Sequence, residues 1–398
     1  MLSERAHRLK PSATMALSAK AQELARQGRD IISLAIGEPD WPTFTNIKQA
    51  GQKALDEGFT KYIPSPGLPE LRAAVVERVK LDLGLNYESN QCMIGLGAKH
   101  IIFNILQVLC NPDDEVIVPA PYWVSYPAMA ELAEARPVIP HCPRETQFKL
   151  TPDLLKRSLS AKTKVVILNS PNNPTGQVYS KQELKDLASV LERTGVWVIS
   201  DDIYDKMVFD GSKIVPHIAQ QSEKLRGQVL LVNSVSKTYS MTGWRIGSLV
   251  GDKRVVDACA NYQSQSVSCG VPFAQRGAVE ALRGPQEEVY KAVEVLASRR
   301  KSALKILHGI AGVDVLDPLG AFYIWLDITR TIGKKTKTNR QIGNSADFSA
   351  GLLDEQGVAV VPGIEFGTEC FVRIGYAVAE SKLMDAMGRI GQFVSSLS

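Results

Sequence analysis

The feature that most constrains this chain is a rhythm. Short runs rich in β-branched residues recur at 92–95, 115–118, 164–168, 196–199, 229–232 and 246–250. Most intervals between them can hold a helix. The interval 181–192, KQELKDLASVLE, sets Leu184, Leu187, Val190 and Leu191 on one helical face. Such alternation predicts an α/β fold, a large domain whose mostly parallel sheet is flanked by helices.

The last third breaks the rhythm. Gly284-Pro285 interrupts the chain, and 287–308 then reads as one long helix with Val289, Val293, Leu296, Leu304 and Leu307 on a recurring face. Strand-like runs follow at 321–327, 357–361 and 371–376, and a final helix spans about 380–394. This is a smaller α+β unit. With 398 residues and about 150 per domain, two to three domains are expected. Residues 1–45 are too few for a domain of their own. The expected division is a large domain, 46–285, and a small discontinuous one, 1–45 with 286–398.

Charge and composition remove several function classes. The 46 Lys and Arg nearly balance 42 Asp and Glu, a net +4, without the concentrated basic patch of a nucleic-acid binder. No apolar run approaches the roughly 18 residues of a membrane span. The six cysteines are scattered without a C-x-x-C pair, and the five histidines are dispersed without H-E-x-x-H. No metal site is expected. The amino-terminal residues lack the apolar stretch of an export signal, so the expected location is the cytoplasm.

In an open α/β sheet, ligands bind beyond the carboxyl ends of the strands. After 165–168 comes Asn169-Ser170-Pro171-Asn172-Asn173-Pro174-Thr175-Gly176; after 196–199 comes Ser200-Asp201-Asp202-Ile203-Tyr204. After 229–232 comes Asn233-Ser234-Val235-Ser236-Lys237, then Thr242-Gly243-Trp244-Arg245. Gly95-Leu96-Gly97-Ala98-Lys99-His100 begins like a dinucleotide fingerprint, but His100 stands at the third glycine position. Its strand-to-helix context still suits a phosphate, because free N–H groups and the helix dipole favour an anion. A carboxylate, a phenol, an amide, a lysine and an arginine thus gather along one edge, as a bound anionic cofactor requires. A lysine near cations and partly desolvated has a lowered amine pKa, which favours Schiff-base chemistry. Asp201 at a buried strand end could hold a pyridine nitrogen protonated. That lysine–carboxylate pair is what pyridoxal phosphate needs.

The segment Ser234-Val235-Ser236-Lys237-Thr238-Tyr239-Ser240-Met241-Thr242-Gly243-Trp244-Arg245-Ile246-Gly247 resembles the cofactor-attachment motif of class I/II aminotransferases, fold type I pyridoxal-phosphate enzymes. The stretches 169–176, 200–204, 371–375, Pro121-Tyr122-Trp123-Val124-Ser125-Tyr126-Pro127, Gly37-Glu38-Pro39-Asp40 and Lys61-Tyr62 resemble the same family in order. The likeness is to the bacterial aspartate aminotransferases and the prephenate aminotransferases grouped with them.

The resemblance implies roles. Lys237 would carry pyridoxal 5′-phosphate as a Schiff base and shuttle the substrate α-proton; Asp201 would pair with the ring nitrogen. Tyr204 and Asn173 would hydrogen-bond the ring hydroxyl, and Trp123 would stack on the ring. Ser234, Ser236, Arg245, Gly97, Ala98 and Lys99 would line the cofactor and its phosphate, while Tyr62 would reach the phosphate of a neighbouring subunit, which implies a homodimer with shared sites. Arg373 would clamp the substrate α-carboxylate in a bidentate fork, with Gly37 allowing close approach. Lys99, with Thr14, is associated with dicarboxylic substrates. Tyr126 stands where some relatives have a histidine supporting the aspartate, which leaves the partner of Asp201 open.

The implied activity is ping-pong transfer of an amino group between amino acids and 2-oxo acids, aspartate with 2-oxoglutarate first. Prephenate or an aromatic acid is the alternative, and a C–S lyase with the same cofactor a more distant one. A dehydrogenase is disfavoured by the missing third glycine.

Overall fold

The computed structural model describes residues 2, 3, 7 and 13–398, without the side chains of residues 13–15 and 18, so the expectation for Thr14 lies outside what is described. Among the described residues, seven strands form one sheet. Their order is Cys92–Gly95, Gly247–Val250, Val229–Ser234, Trp197–Asp201, Thr163–Asn169, Glu115–Ile117 and Arg136–Val138. Neighbours from Val229–Ser234 to Arg136–Val138 run parallel. Gly247–Val250 runs antiparallel to both of its neighbours. The segment before it holds only the one-turn helix Val235–Thr238 and the 3₁₀ turn Thr242–Trp244. That is too little to cross over the sheet, so the chain turns straight back.

The expected fold class is the observed one. Arg136–Val138 adds a strand that the apolar pattern did not announce. Its Pro137 has no N–H to give, which an edge strand tolerates.

Helices seal the sheet. Lys181–Leu191 opens with a reciprocal cap: Ser180 accepts from the Glu183 N–H, and Glu183 accepts from the Ser180 N–H. It buries Leu184, Leu187, Ala188 and Leu191. Each buried leucine contributes about 1.5–3 kcal/mol. On the other face Ala98–Leu109 packs Ile101, Ile102, Ile105 and Leu106 against Val116, Val165 and Leu230.

A second core forms around a four-stranded antiparallel sheet, in the order Val361–Pro362, Phe371–Gly375, Tyr323–Asp327, Asp314–Val315. Glu287–Leu307 and Glu380–Ser395 cover it with Leu296, Leu304, Leu383, Met387, Ile390 and Phe393. The run expected as one strand at 357–361 is divided. Val358–Ala359 pairs in parallel with Ile32–Ser33, and Val361–Pro362 pairs with Phe371–Gly375. Its two halves serve different sheets, so the ladder breaks at Val360.

Strand register decides what meets at the carboxyl edge of the large sheet. Asn169 lies opposite Asp201, Asp201 opposite Val232, Ser234 opposite Gly247, and Gly247 opposite Gly95.

Candidate active site

Lys237 sits in the turn Val235–Thr238, directly after Val229–Ser234. Ser234 starts that turn: its Oγ accepts from the Ser236 N–H at 3.0 Å, donates to the Ile246 carbonyl at 2.8 Å and lies 2.7 Å from Ser236 Oγ. Lys237 Nζ is thereby aimed across the cleft, where it donates to the Gly37 carbonyl at 2.5 Å. Desolvation pulls the amine down to about 8; Glu38 opposes this, and Arg373 and Arg245 add to it. An amine so placed carries a useful neutral fraction near neutral pH, as a nucleophile or base requires.

Asp201 ends Trp197–Asp201 and is 1% exposed. Its Oδ2 accepts from Tyr126 Oη at 2.5 Å, while its Oδ1 is buried without a partner. Burial pushes the carboxyl up to about 7, against the Tyr126 hydrogen bond and with a further push from Asp202. Burial and the adjacent Asp201 raise the Tyr126 phenol well above its ordinary value, so it stays a donor. Asn169 frames the pair: its Nδ2 donates to the Asp201 carbonyl at 2.8 Å, and its Oδ1 accepts from the Asn173 N–H at 2.8 Å. A buried carboxyl oxygen without a donor is costly, and with the carboxyl raised it either carries a proton itself or receives a donor from a ligand.

Arg373 comes from the other sheet, in mid-strand opposite Trp325 and Val361. It is buried, donating from Nη1 to Asn173 Oδ1 at 3.0 Å and from Nη2 to the Ala35 carbonyl at 2.7 Å. Its Nε has no partner. The guanidinium lies 4.5 Å from the Tyr323 ring centre, and Tyr323 Oη is 2.8 Å from Tyr204 Oη. No carboxylate pairs with this cation in the described chain; its partners are an amide and a carbonyl. Gly37 closes the corner, because a Cβ there would stand 2.7 Å from Tyr323 Oη.

An anion cradle lies where Gly97 precedes the helix Ala98–Leu109. Gly97 has φ +82°, and a Cβ on it would meet Arg245 Nη2 at 2.5 Å. A Cβ on Gly247 would lie 2.4 Å from the Gly97 carbonyl carbon and 2.5 Å from the Ala98 nitrogen. Arg245, itself at φ +57°, donates to the Thr242 carbonyl at 2.7 Å and to the Leu96 carbonyl at 3.2 Å. Helix N–H groups, a guanidinium and the Ser234–Ser236 hydroxyls together offer a small dianion its donors.

Trp123 packs edge-on against Tyr126, with centroids 5.3 Å apart, and Lys99 Nζ lies 4.9 Å from the Trp123 ring centre. Burial, then Arg245, lowers the Lys99 amine. The structure therefore gathers Lys237, Asp201, Tyr204, Asn173, Arg373, Gly37, Ser234, Ser236, Arg245, Gly97, Ala98, Lys99 and Trp123 around one cleft. Tyr62 is not among them; it is 90% exposed.

The partner of Asp201, which the sequence left open, is Tyr126, 75 positions away. Two residues at the site escaped the sequence reading. Tyr323 joins Tyr204 to Arg373 from an apolar strand, where nothing local distinguishes it from a core aromatic. Asn169 could have been found, since it ends a strand four residues before Asn173.

Comparison with known proteins gives a consistent picture. Residues 29–390 match the family aminotransferase class I and II. The chain is 44% identical to an aspartate/prephenate aminotransferase of Cereibacter sphaeroides, over 100% of this chain and 99% of that one. It is 40% identical to an aspartate aminotransferase of Bacillus sp. (strain YM-2), over 99% of both. Among solved structures, the aspartate aminotransferase of Rhizobium meliloti superposes with a TM-score of 0.96 at 38% identity, covering 100% of both chains. That of Thermus thermophilus with maleate superposes at 0.91 and 36%, covering 99% of both.

Proposed function

This chain belongs to the class I and II aminotransferases, and from that membership we propose that it transfers the amino group of aspartate to 2-oxoglutarate. Enzymes of this class work with pyridoxal 5′-phosphate. The residues present suit that group. The observation that carries the reading is the buried Oδ1 of Asp201, without a side-chain donor and close enough to Lys237 for each to act on the other's charge. A protonated ring nitrogen would satisfy it, and the glycine-lined cradle would take the phosphate on Ser234, Ser236, Arg245 and the N–H groups after Gly97. When bound, the cofactor supplies a sink for the electron pair left when the substrate α-carbon loses its proton.

The chain's own residues do the rest. Lys237 Nζ is the amine that would hold the cofactor and, when free, would take the α-proton and return it. Its lowered basicity supports that use near neutral pH. Arg373 would fix the α-carboxylate bidentately, using N–H groups that its bonds to Asn173 and Ala35 leave free, among them Nε. Asn173 and Tyr204 would hydrogen-bond the cofactor's ring hydroxyl, and Trp123 would pack on its ring. One amino acid leaves as its 2-oxo acid before a second 2-oxo acid takes up the nitrogen.

Lys99, and Thr14 with it, is assigned to the distal carboxylate of a dicarboxylic substrate. The Thermus relative solved with maleate, a dicarboxylate, supports that class. Prephenate is a second acceptor, favoured by the double name of the Cereibacter relative. We read 46–285 as the cofactor-binding domain and 1–45 with 286–398 as the domain carrying Arg373. The pairing of Ile32–Ser33 with Val358–Ala359 and the Gly375 N–H bond to the Leu34 carbonyl support this. Exposed Tyr62 is assigned to the site of a second copy in a homodimer. Six free cysteines accord with the cytoplasm, and no described helix is long and apolar enough to cross a membrane.

The test is a half-reaction panel of aspartate, glutamate, phenylalanine, alanine and arogenate, read by cofactor absorbance. Aspartate and glutamate should convert the cofactor fastest, and conversion by phenylalanine or alanine alone would overturn the dicarboxylate reading. Lys237→Ala should lose the borohydride-reducible adduct. Lys99→Ala should cost aspartate roughly tenfold more in kcat/KM than alanine, a difference of about 1.4 kcal/mol; equal losses would remove Lys99 from the site.

A further inference from the structure

Behind Asp201 stands a second set of buried polar residues that neither the reaction nor the resemblance uses. Asp202 follows Asp201 immediately and is 6% exposed. Its backbone N–H bonds to the Val232 carbonyl at 2.9 Å, so the residue is fixed to the sheet. Both of its carboxylate oxygens are engaged: Ser200 Oγ donates to Oδ1 at 2.7 Å, and His217 Nε2 lies 2.9 Å from Oδ2.

The tautomer of His217 follows from its other nitrogen. Nδ1 accepts from the Ala219 N–H at 3.0 Å, so the ring proton is on Nε2 and is donated to Asp202. His217 is 4% exposed and held by its own turn, where its N–H and the Gln220 side chain form a reciprocal cap. Each carboxylate oxygen of Asp202 therefore has a donor of its own.

Asp201 shows a different pattern: Tyr126 donates to its Oδ2, the Ile203 N–H also acts on the carboxylate, and no side chain donates to the buried Oδ1. The charged groups acting on it are Asp202 and Lys237. On the far side of Asp202, Arg78, Asp82, Asp205, Lys206 and His217 line a cavity of about 80 Å³. Lys206 and Arg78 both pair with Asp82, and Asp205 accepts from Asn233 at 2.8 Å. Both cations on that side thus pair with Asp82, Lys206 also acts on Asp205, and the Asp202 carboxylate is left without an ion pair and acts on Asp201 and Asp205.

We propose that Ser200 and His217 are positioning residues that hold Asp202 as a fixed negative charge behind Asp201, strengthening the hold of Asp201 on a protonated ring nitrogen. A like charge behind a carboxylate makes that carboxylate a better partner for a cation. In a buried site such a charge is poorly screened. It is maintained only if its own hydrogen bonds are satisfied, which is what Ser200 and His217 provide. This inference rests on pyridoxal phosphate as the cofactor.

The test uses the full-length enzyme, stripped of cofactor and titrated with pyridoxal 5′-phosphate. His217→Leu removes the Nε2 donor, Ser200→Ala removes the other donor with little change of packing, and His217→Gln restores an N–H at the end of the side chain. His217→Leu and Ser200→Ala should each weaken cofactor binding by roughly tenfold, the equivalent of one pKa unit in the affected interaction. Both should move the pH midpoint of the bound cofactor's absorbance change downward, because a lost negative charge disfavours protonation nearby. His217→Gln should recover most of the affinity and of the midpoint. Unchanged affinity and midpoint in Ser200→Ala would overturn the proposal. So would His217→Leu and His217→Gln failing equally, which is what a purely packing role predicts. If the unaltered protein takes up no pyridoxal phosphate, the cofactor reading fails instead.

Discussion

Replacing Arg373 by lysine keeps the charge and removes the fork. The guanidinium already spends one N–H of Nη1 on Asn173 Oδ1 and one of Nη2 on the Ala35 carbonyl, and its carbon lies 4.5 Å from the Tyr323 ring centre. A bound α-carboxylate would take two N–H groups on one edge at once. An ammonium at that place is a point donor that can meet one carboxylate oxygen in good geometry, not two. The loss is one hydrogen bond to a charged group, about 1.5–3 kcal/mol. At 1.36 kcal/mol per decade, kcat/KM for aspartate should fall roughly 10- to 150-fold. The free protein should also lose about 1–3 kcal/mol of stability, because Asn173 or Ala35 is left with an unsatisfied buried acceptor. The assay is single-turnover cofactor absorbance with aspartate and with β-alanine, which is aspartate without its α-carboxylate. The rate with β-alanine should be low in both enzymes and nearly equal. If Arg373→Lys slows both substrates by the same factor, Arg373 maintains the site and does not bind the carboxylate.

Two further outcomes follow from the same geometry. Asp201 is raised from 3.8 to about 7, so between those values the folded apoenzyme holds a proton that the unfolded chain has released. Stability of the apoenzyme therefore falls as pH rises through that window, and above about 7 the full penalty applies. Asp201→Asn should remove this slope in urea denaturation of the apoenzyme and weaken cofactor binding at least roughly a hundredfold, about 2.7 kcal/mol; a parallel slope in mutant and wild type would contradict it. Gly247→Ala places a Cβ 2.4 Å and 2.5 Å from backbone atoms of Gly97 and Ala98, which cannot swing aside as a side chain could. Phosphate and pyridoxal phosphate should both bind this variant more weakly by calorimetry, while Gly243→Ala, with open space around it, should bind normally.

The elements that were legible are those whose signals are local. The strand–helix rhythm showed the large sheet, because burial on both faces forces continuous apolar runs. The spacing of Leu184, Leu187 and Leu191 showed one of its helices. Lys237 and Asp201 could be singled out because polar residues ending a buried strand have few structural uses. What lay beyond reach was pairing between distant segments. Pro137 concealed an edge strand, and one apolar run proved to serve two sheets on either side of Val360.

The sequence by itself determined the layered fold, the edge where chemistry would gather, and the residue types present there. These follow from periodicity and from the chemistry of single side chains. Only the tertiary structure decided how those residues are used. It brought Tyr126 onto Asp201 across 75 positions and Arg373 onto Asn173 across 200. It left Asp201 one bare oxygen, and it set His217 behind Asp202. The reason is physical: a pKa, a tautomer or an unsatisfied acceptor is a property of what packs around a group, and strand register and chain reversal fix that packing.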